Sequence, residues 1–467
     1  MRPFVILLLF CAGCRPCLQP DISMEKEFIS EDLVQKMEGG KVDLAQWWAQ
    51  FDDPLLTELI EKGLEQNYDL RLAREKICQA RAEFGIEFSY LLPQIDSELS
   101  FRRQRNPQTE GDSPFLGGGF ENFYRTGFDA VWELDIFGKN WDYARAAGLD
   151  VYAQMEEVRN VNLSTTSEIA INYFIVRNLQ DRIRITELHI ASANELVETT
   201  NTRFEIGLAP ELDVFTAKAL LSTRLADLAE IEARLRETIY AIALLVGEMP
   251  DKLLHTFDQP REREIKEAKI PVGLPSELLC RRGDVRSAEF AMLASGARVM
   301  ASRKELFPTL TLDTLFKYST SFFTFWTTEN SKFWKFHPIL TLPIFQGGRI
   351  RSQIAAETSK QHQAVLEYEK TVLTAVGEVE TALIKYFQEQ IRVQDLHDQT
   401  AYYEEAKNQA NSLYTAGLEN FLFLFEVERN LYESQIEESV SMELLRVRLV
   451  AIYKALGGGW DCADLCT

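Results

Sequence analysis

Residue types that commonly carry catalysis or bind metals are sparse in this chain. Its five histidines stand at positions 189, 255, 337, 362 and 397, and none is spaced to share a metal ion with another histidine or a cysteine. The sequence also lacks paired carboxylates in a glycine-rich loop. It therefore predicts that the protein is not an enzyme and uses no metal or cofactor.

Three of the seven cysteines fall within the first 17 residues. Residues 1–13 combine Arg2 with an apolar run at 4–10, the pattern of a signal peptide. The following Cys-Ala-Gly-Cys resembles a lipobox, which predicts lipidation of Cys14. Because Cys11 stands where leucine is usual, a plain signal peptide or a misplaced start codon stays an alternative. Near the other end, Cys462 and Cys466 either form a small disulfide in an oxidising compartment or stay as two thiols.

The overall composition excludes one class of partner. A net charge of -21 opposes binding to nucleic acid, because phosphate backbones are bound by basic surfaces. A hydrophobic fraction of 46% is ample for a packed core, and a charged fraction of 26% is typical of long solvated helices. Beyond the signal segment no run of 18 apolar residues occurs, so the sequence predicts no membrane-spanning helix.

The chain repeats itself at a spacing of about 210 residues. Four landmarks recur in one order with offsets of 215, 208, 210 and 210: YLLPQI at 90–95 and ELFPTL at 305–310, DIFGKN at 135–140 and PIFQGG at 343–348, Gly207 and Gly417, and Gly247 and Gly457. Agreement in both order and spacing indicates a tandem duplication. We place the two copies at 68–250 and 283–459.

Each copy contains two segments in which apolar and polar residues alternate. Phe128 and Trp132 face one way, whereas Asp129 and Glu133 face the other. This period predicts strands at about 94–103, 124–136, 309–318 and 335–343. Aromatic residues in these strands suit the girdles of an outer-membrane barrel, although the aromatic core of a soluble sheet would show the same pattern: Phe128, Trp132, Phe316 and Phe336.

Long helical tracts without proline follow the strands, at about 139–205 and 348–415. At ~1.5 Å per residue each spans on the order of 100 Å, more than an ordinary globular core needs. In the second tract Val365, Val372 and Val379 belong to an apolar seam with the spacing of a coiled coil. Turns at Gly207 and Gly417 then predict helical hairpins at 139–247 and 347–457.

Four strands in one chain cannot cross a bilayer alone, because exposed sheet edges leave backbone groups unsatisfied in hydrocarbon. The strands must close into a barrel, which requires several chains. A dimer supplies eight strands, too few for an aqueous lumen, whereas a trimer supplies twelve. The predicted fold is therefore mainly α-helical, with four strands per chain in a trimeric, 12-stranded transmembrane barrel that a long α-helical coiled-coil tunnel continues.

Several short motifs occur together: WWAQFDDPL at 47–55, NYDLRLA at 67–73, WELDIFGK at 132–139, and RFEIG at 203–207 with LDV at 212–214. In this combination, nearly the whole mature chain resembles the outer membrane efflux protein (TolC) family, especially its lipoprotein branch. The resemblance implies a homotrimer in the outer membrane, anchored there by lipid, with its tunnel in the periplasm. It implies a passive channel that exports small molecules such as drugs. Its implied partners are a periplasmic adaptor (a membrane fusion protein) and an inner-membrane pump of the resistance-nodulation-division type.

The resemblance also implies roles for residues near the second hairpin turn. Glu426 matches the family's gate aspartate, with Arg429 one turn further on, and Phe423 stands where many members carry a second gate aspartate. Asp213 and Tyr414 match a clasp between the two hairpins. The family's arginine at position 419 is glutamate here, which leaves part of that latch in doubt. Taken without the family, Glu426 and Arg429 are an ordinary surface pair at i,i+3 spacing.

The predicted organisation is completed by segments outside the repeats. Residues 14–67 form an N-terminal tail and an equatorial helical segment, 251–282 a linker or equatorial segment, and 460–467 a C-terminal tail. Two other functions stay open: an outer-membrane duct for type I protein secretion, and a structural coiled-coil surface protein. The latter explains the helices and the acidity, but not the alternating strands present in both copies.

Overall fold

The computed structural model describes residues 45–105, 120–257 and 281–458. The predicted signal peptide, Cys14, Cys462 and Cys466 lie outside these residues. The chain divides into two compact units: one contains 75–155 and 287–370, and the other contains the described parts of 22–74, 156–286 and 371–467.

Eight α-helices and four strands make up the described residues. After a 3₁₀ turn at Trp47–Phe51, the helices are α1 Pro54–Gln66, α2 Tyr68–Ser89, α3 Lys139–Glu205, α4 Glu211–Val246, α5 Pro250–Phe257, α6 Gly283–Lys304, α7 Arg349–Thr415 and α8 Phe421–Ala455. The strands are β1 Gln94–Arg105, β2 Phe120–Leu134, β3 Thr309–Thr320 and β4 Lys332–Thr341. Helix α5 begins at the last residue of the first predicted repeat and continues into the segment that the sequence assigns to a linker or equatorial segment.

The strands form one antiparallel sheet in the order β1-β2-β3-β4. Strand β2 begins four residues earlier than the sequence indicates, because it stays paired with β1 as far as Arg105 and Phe120. Strand β4 likewise begins at Lys332, which pairs with Tyr318 of β3. The pairing of β2 with β3, which includes Phe128 opposite Phe316, joins the first repeat to the second.

The unit without strands has an aromatic and aliphatic core. Trp47 is fully buried and stacks on Tyr453 with ring centroids 5.1 Å apart. Phe51 packs edge-to-face on Phe174 at 4.9 Å. Asp53 caps α1, accepting from two backbone amides, and its carboxylate also accepts a hydrogen bond from the Tyr173 hydroxyl. These contacts fix the N-terminal segment to the long helix α3.

The predicted coiled-coil seam of α7 lies in the interior, since Val365, Val372 and Val379 are all buried. None of the described helices is long and apolar enough to span a bilayer. Within the same residues, no group of three or more His, Cys, Asp or Glu side chains is arranged to hold a metal ion.

Candidate functional site

Both helical hairpins end in turns of the same geometry. Gly207 lies between α3 and α4 with a φ of 77°, and Gly417 lies between α7 and α8 with a φ of 75°. This backbone region strains any residue that has a β-carbon. At each turn the following leucine donates its N–H to a carbonyl five residues back, at 2.7 Å in the first hairpin and 3.0 Å in the second. These are Schellman turns, which satisfy carbonyls left open where a helix ends. The structure therefore places both predicted glycines in the hairpin turns.

A small apolar cluster near the turns packs the two hairpins together. Its buried members come from α4, α7 and α8, and partly buried side chains from α3 and α8 surround them: Ala217, Ala410, Tyr414, Phe421 and Leu424, with Leu196, Val197, Phe425 and Val427. Asn420 caps α8 by accepting from the Phe423 amide at 3.0 Å. The hairpin tips are thus held by apolar packing as well as by their own caps.

Arg203 connects the two hairpins, a role that the sequence did not indicate although this residue begins the motif RFEIG at 203–207. It donates from Nη1 to the backbone carbonyl of Tyr414 at 3.1 Å. Its guanidinium also lies 4.4 Å from the centroid of the Tyr414 ring. Tyr414 is in the last turn of α7, where carbonyls lack partners within the helix. The sequence signal for this role is an arginine close to the first hairpin turn, because a basic side chain there can reach the open carbonyls at the end of the neighbouring helix.

The predicted clasp between Asp213 and Tyr414 is not formed as a hydrogen bond within the single chain. The Tyr414 hydroxyl is buried and has no hydrogen-bond partner among the described residues. Burial raises the pKa of the Asp213 carboxyl, while the charge of Arg203 acts in the opposite direction. Within one chain, Arg203 bonds the backbone of Tyr414 and acts on the charge of Asp213, and the clasp between Asp213 and Tyr414 stays a prediction.

The three residues predicted at the gate share the exposed side of α8. Phe423, Glu426 and Arg429 are all exposed, whereas Phe421 and Leu424 are buried in the cluster at the tip. The Arg429 Nε lies 3.8 Å from a carboxylate oxygen of Glu433, at i,i+4 spacing. The structure brings the three together on one helix face, and their role in a gate stays a prediction.

A buried polar network lies one helical turn beyond the apolar cluster. The Glu428 carboxylate is 3.0 Å from Lys407 Nζ on α7 and accepts from the Ser192 hydroxyl on α3 at 3.2 Å. Sequence reasoning missed Glu428, which is only 9% exposed. Its place four residues after Leu424 and three before Leu431, on the buried stripe of α8, is the signal that could have found it.

His189 of α3 extends this network. Its Nε2 is 2.7 Å from the Gln435 side-chain oxygen, and its Nδ1 is 3.9 Å from Glu428. Burial lowers the pKa of His189, although Gln435 and Glu428 act to raise it. The network therefore joins three helices through groups whose charge depends on their surroundings.

The sheet has two chemically different faces, as the alternation in the sequence predicts. Residues that face each other across the strands share a face. What we call the apolar face carries Ile95, Leu99, Phe101, Phe128, Trp132, Leu312, Phe316, Trp334, Phe336 and Leu340. What we call the polar face carries Asp96, Glu98, Arg102, Arg125, Asp129, Asp313, Lys317, Lys335 and His337. All four predicted barrel aromatics are on the apolar face.

An ammonium group bridges two carboxylates on the polar face. Lys317 Nζ lies 2.5 Å from Glu98 on β1 and 2.7 Å from Asp129 on β2. On the same face Lys335 of β4 lies 2.6 Å from Asp313 of β3. Paired charges on one face and exposed aromatic and aliphatic side chains on the other suit a sheet that has water on one side and lipid on the other.

Comparison with known proteins gives a consistent result. The profile of the family described as outer membrane efflux protein matches residues 59–248 and 274–458. The toluene efflux pump outer membrane protein TtgF of Pseudomonas putida is 32% identical over 423 residues, covering 89% of this chain and 85% of that protein. The pyoverdine export outer membrane protein OpmQ of Pseudomonas aeruginosa is 30% identical over 425 residues, covering 90% and 88%. In fold, the chain superposes on the CmeC outer membrane channel of Campylobacter jejuni with a TM-score of 0.90 at 23% identity, over 97% of this chain and 96% of that chain.

Proposed function

Because this chain belongs to the outer membrane efflux protein family, it is an outer-membrane channel of an efflux system, and we propose that three copies form one passive duct. The observation that supports the trimer best is the four-stranded sheet. Its outermost strands β1 and β4 each have a neighbour on one side only, and such edges must be paired inside hydrocarbon. Three sheets joined edge to edge give twelve strands, enough to enclose water.

The helical hairpins form the periplasmic part of the proposed duct, and their tips form its gate. Glu426 would place three carboxylates near the axis of a trimer, with Phe423 and Arg429 on the same face of α8. A ring of like charges attracts cations and repels itself when the opening narrows. The apolar cluster at the tip and the contact from Arg203 support the closed arrangement.

The hairpin turns also present apolar side chains to a partner. Leu208 is 68% exposed and Leu418 is 73% exposed, at equivalent positions in the two turns. Exposed apolar residues at the ends of helices suit docking to another helical protein. We assign this surface to a periplasmic adaptor, which connects the duct to an inner-membrane pump of the resistance-nodulation-division type.

Small molecules are the proposed cargo. The names of the relatives TtgF and OpmQ refer to toluene and to pyoverdine, and neither refers to a protein substrate. This supports small-molecule export over type I protein secretion. The duct itself performs no reaction in this proposal. The signal peptide would direct export, and a lipid on Cys14 would anchor the mature N-terminus in the outer membrane.

The trimer and the pore are tested together on the purified full-length protein. Native mass spectrometry should give the mass of three chains, and planar bilayers should show discrete conductance steps. A stable monomer or dimer would contradict the trimer. Absence of conductance under every gating condition would contradict the duct. Palmitate labelling that is lost in Cys14→Ala, and kept in Cys17→Ala, tests the anchor separately.

A further inference from the structure

The apolar face of the sheet ends in positive charges at the last residues of β1 and the first residue of β4. On β1, the row of Ile95, Leu99 and Phe101 continues with Arg103 and Arg105. On β4, the row of Leu340, Phe336 and Trp334 continues with Lys332. Alternate residues of a strand point to the same face, so these three cations belong to the face that carries the exposed aromatics.

The spacing along the strands places these cations at one edge of an apolar band. Arg103 follows Ile95 by eight positions, and Lys332 precedes Leu340 by eight. At ~3.3 Å per residue each interval spans about 26 Å along the strand. Strands tilted by roughly 40° rise about 20 Å over this interval, and the apolar band is roughly 25 Å tall, so the long side chains of these cations reach the lipid headgroups at the edge of the band.

Aromatic rings surround the cations and continue into the loop after β3. The Arg103 guanidinium lies 4.7 Å from the Phe120 ring centroid. Phe101 packs on Tyr124 at 4.9 Å, and Tyr124 packs on Phe323 at 5.5 Å. Tyr124 combines an apolar ring with a polar hydroxyl, which favours a place where hydrocarbon meets the headgroups, and the phenylalanine rings add apolar area beside it. Lys332 also pairs with Glu329 at 3.2 Å, so the two arginines dominate the charge of the patch.

The chain connections show which side of the membrane these residues face. Helices α2, α3, α6 and α7 all adjoin the opposite ends of the strands. Since the helices lie in the periplasm under the proposed function, the cations face the outer leaflet. We propose that Arg103, Arg105 and Lys332 form a binding surface for the phosphate groups of outer-leaflet lipids. Guanidinium groups bind phosphate through paired, charge-assisted hydrogen bonds, and the neighbouring rings cover the start of the acyl chains.

Two double variants with equal charge change test this surface. Arg103→Gln/Arg105→Gln alters the apolar face. Arg102→Gln/Arg125→Gln alters the polar face, with one change on β1 and one on the neighbouring β2. It is the matched control, because Arg102 lies over Phe123 as Arg103 lies over Phe120. Binding of diphosphorylated lipid A to the detergent-solubilised channel is measured by thermophoresis, with phosphatidylcholine as the neutral comparison.

Loss of both arginines should weaken lipid A binding by roughly 25-fold, about fivefold for each cation near an anionic lipid surface. The control should change it by less than about twofold. Arg103→Lys/Arg105→Lys keeps the charge and should fall between these results. Equal weakening in both glutamine variants, equal binding of phosphatidylcholine, or full competition by inorganic phosphate would each overturn the proposal. Bilayer conductance of the same samples is independent of lipid affinity, so failure of the duct is recognised separately.

Discussion

Lys317 reaches across a neighbouring strand because the residue in its path is glycine. Glu98, Gly127 and Lys317 stand in one row across β1, β2 and β3. A β-carbon on Gly127 would lie 2.3 Å from the Phe316 carbonyl oxygen and 2.6 Å from Lys317 Cγ. Position 127 of β2 therefore needs a residue without a side chain, so that the Lys317 ammonium group can contact carboxylates on β1 and β2.

Replacing Gly127 by alanine should destabilise the sheet. Overpacking of this kind costs about 1–3 kcal/mol, and the backbone contact leaves little room for relaxation. The expected result is a lower thermal midpoint for loss of the β-signal in circular dichroism. Gly85→Ala is the control, since a β-carbon there meets nothing within 4 Å and α2 should tolerate it. If Gly127→Ala and Gly85→Ala had equal thermal midpoints, the close contact of Lys317 with Gly127 would not restrict the residue at position 127.

Glu426→Ala should reduce the preference of the channel for cations. In the proposed trimer this substitution removes three carboxylates from the gate, and it therefore removes the negative electrostatic field that attracts cations. Reversal potentials in asymmetric potassium chloride measure the change, with Glu232→Ala on α4 as the control because Glu232 is also an exposed glutamate. An unchanged reversal potential in Glu426→Ala would mean that this residue is only a surface charge.

Glu426 and Arg429 could be identified from the sequence because they stand at positions that match the motif of the family. Glu428 and Arg203 escaped because their roles depend on partners 21 and 211 positions away, Lys407 and Tyr414. Gly127 escaped for a similar reason. A glycine within a strand indicates a close approach of backbone or side chain, but only the register shows that Lys317 is the neighbour.

Among the helices, the buried network should contribute more to stability than exposed ion pairs on the same elements. Glu428→Ala would leave Lys407 without its carboxylate in a mostly buried place, at a cost of about 1–3 kcal/mol. We expect the thermal midpoint of the helical signal to fall by several degrees. Glu437→Ala breaks the ion pair with Arg392, in which both side chains are about half exposed. This substitution should lower the free energy of unfolding much less than Glu428→Ala. If the thermal midpoint fell equally in Glu428→Ala and Glu437→Ala, the buried network would contribute no more to stability than the exposed ion pair.

Acid should loosen the same network through His189. Its pKa in the fold lies below the ordinary 6.5, so the unfolded chain takes up a proton first as the pH falls. The stability is therefore full above about 6.5 and declines as the pH drops through that value towards the folded pKa. Lys407 and Arg224 also face the imidazole and oppose its protonation, whereas Glu428 favours it.

Comparing thermal midpoints at pH 7.5 and 5.5 checks this dependence, which should be weaker in His189→Gln than in the natural chain. His397 provides a control of opposite sign, because its hydrogen bond to Glu438 raises its pKa. Its stabilising effect is present at low pH and is lost as the pH rises through the folded pKa. His397→Gln should therefore make the loss on acidification larger. The same change in both variants would exclude His189 as the sensor.

The fold class and the family predicted from the sequence are confirmed by the comparisons, and the reasons are visible in particular elements. Glycines that need a positive φ marked both hairpin turns. Period-two alternation marked the strands, but not where β2 begins. That end depends on cross-strand pairing between Phe120 and Arg105, which no local pattern reports. The Tyr414 hydroxyl shows a further limit, because a motif match gives the residue type but not its hydrogen-bond partner, and the clasp with Asp213 stays a prediction.

At the scale of the assembled molecule, the proposed closure requires β1 of one copy to pair with β4 of the next. A cysteine at Ser97 on β1, combined with single cysteines scanned over 334–340 on β4, should give covalent trimers under mild oxidation at one or two adjacent positions. The background is Cys78→Ala, because Cys78 is exposed. Single-cysteine variants should give no trimer. If no pair forms links while the protein still conducts, the strands close in another way.

The pairing of β2 with β3 has a consequence for how such a cylinder originates and assembles. Had the two repeats stayed separate polypeptides, twelve strands would require six molecules to meet and six intermolecular seams to form. Because one chain contains both repeats, the pairing of β2 with β3 at Phe128 and Phe316 lies within each molecule. The proposed trimer therefore needs three molecules and three intermolecular seams. Fusion also frees the halves from being identical. Asp213 and Arg203 belong to the first hairpin, and Glu426 belongs to the second. In a ring of six identical subunits, every hairpin would carry the same residues.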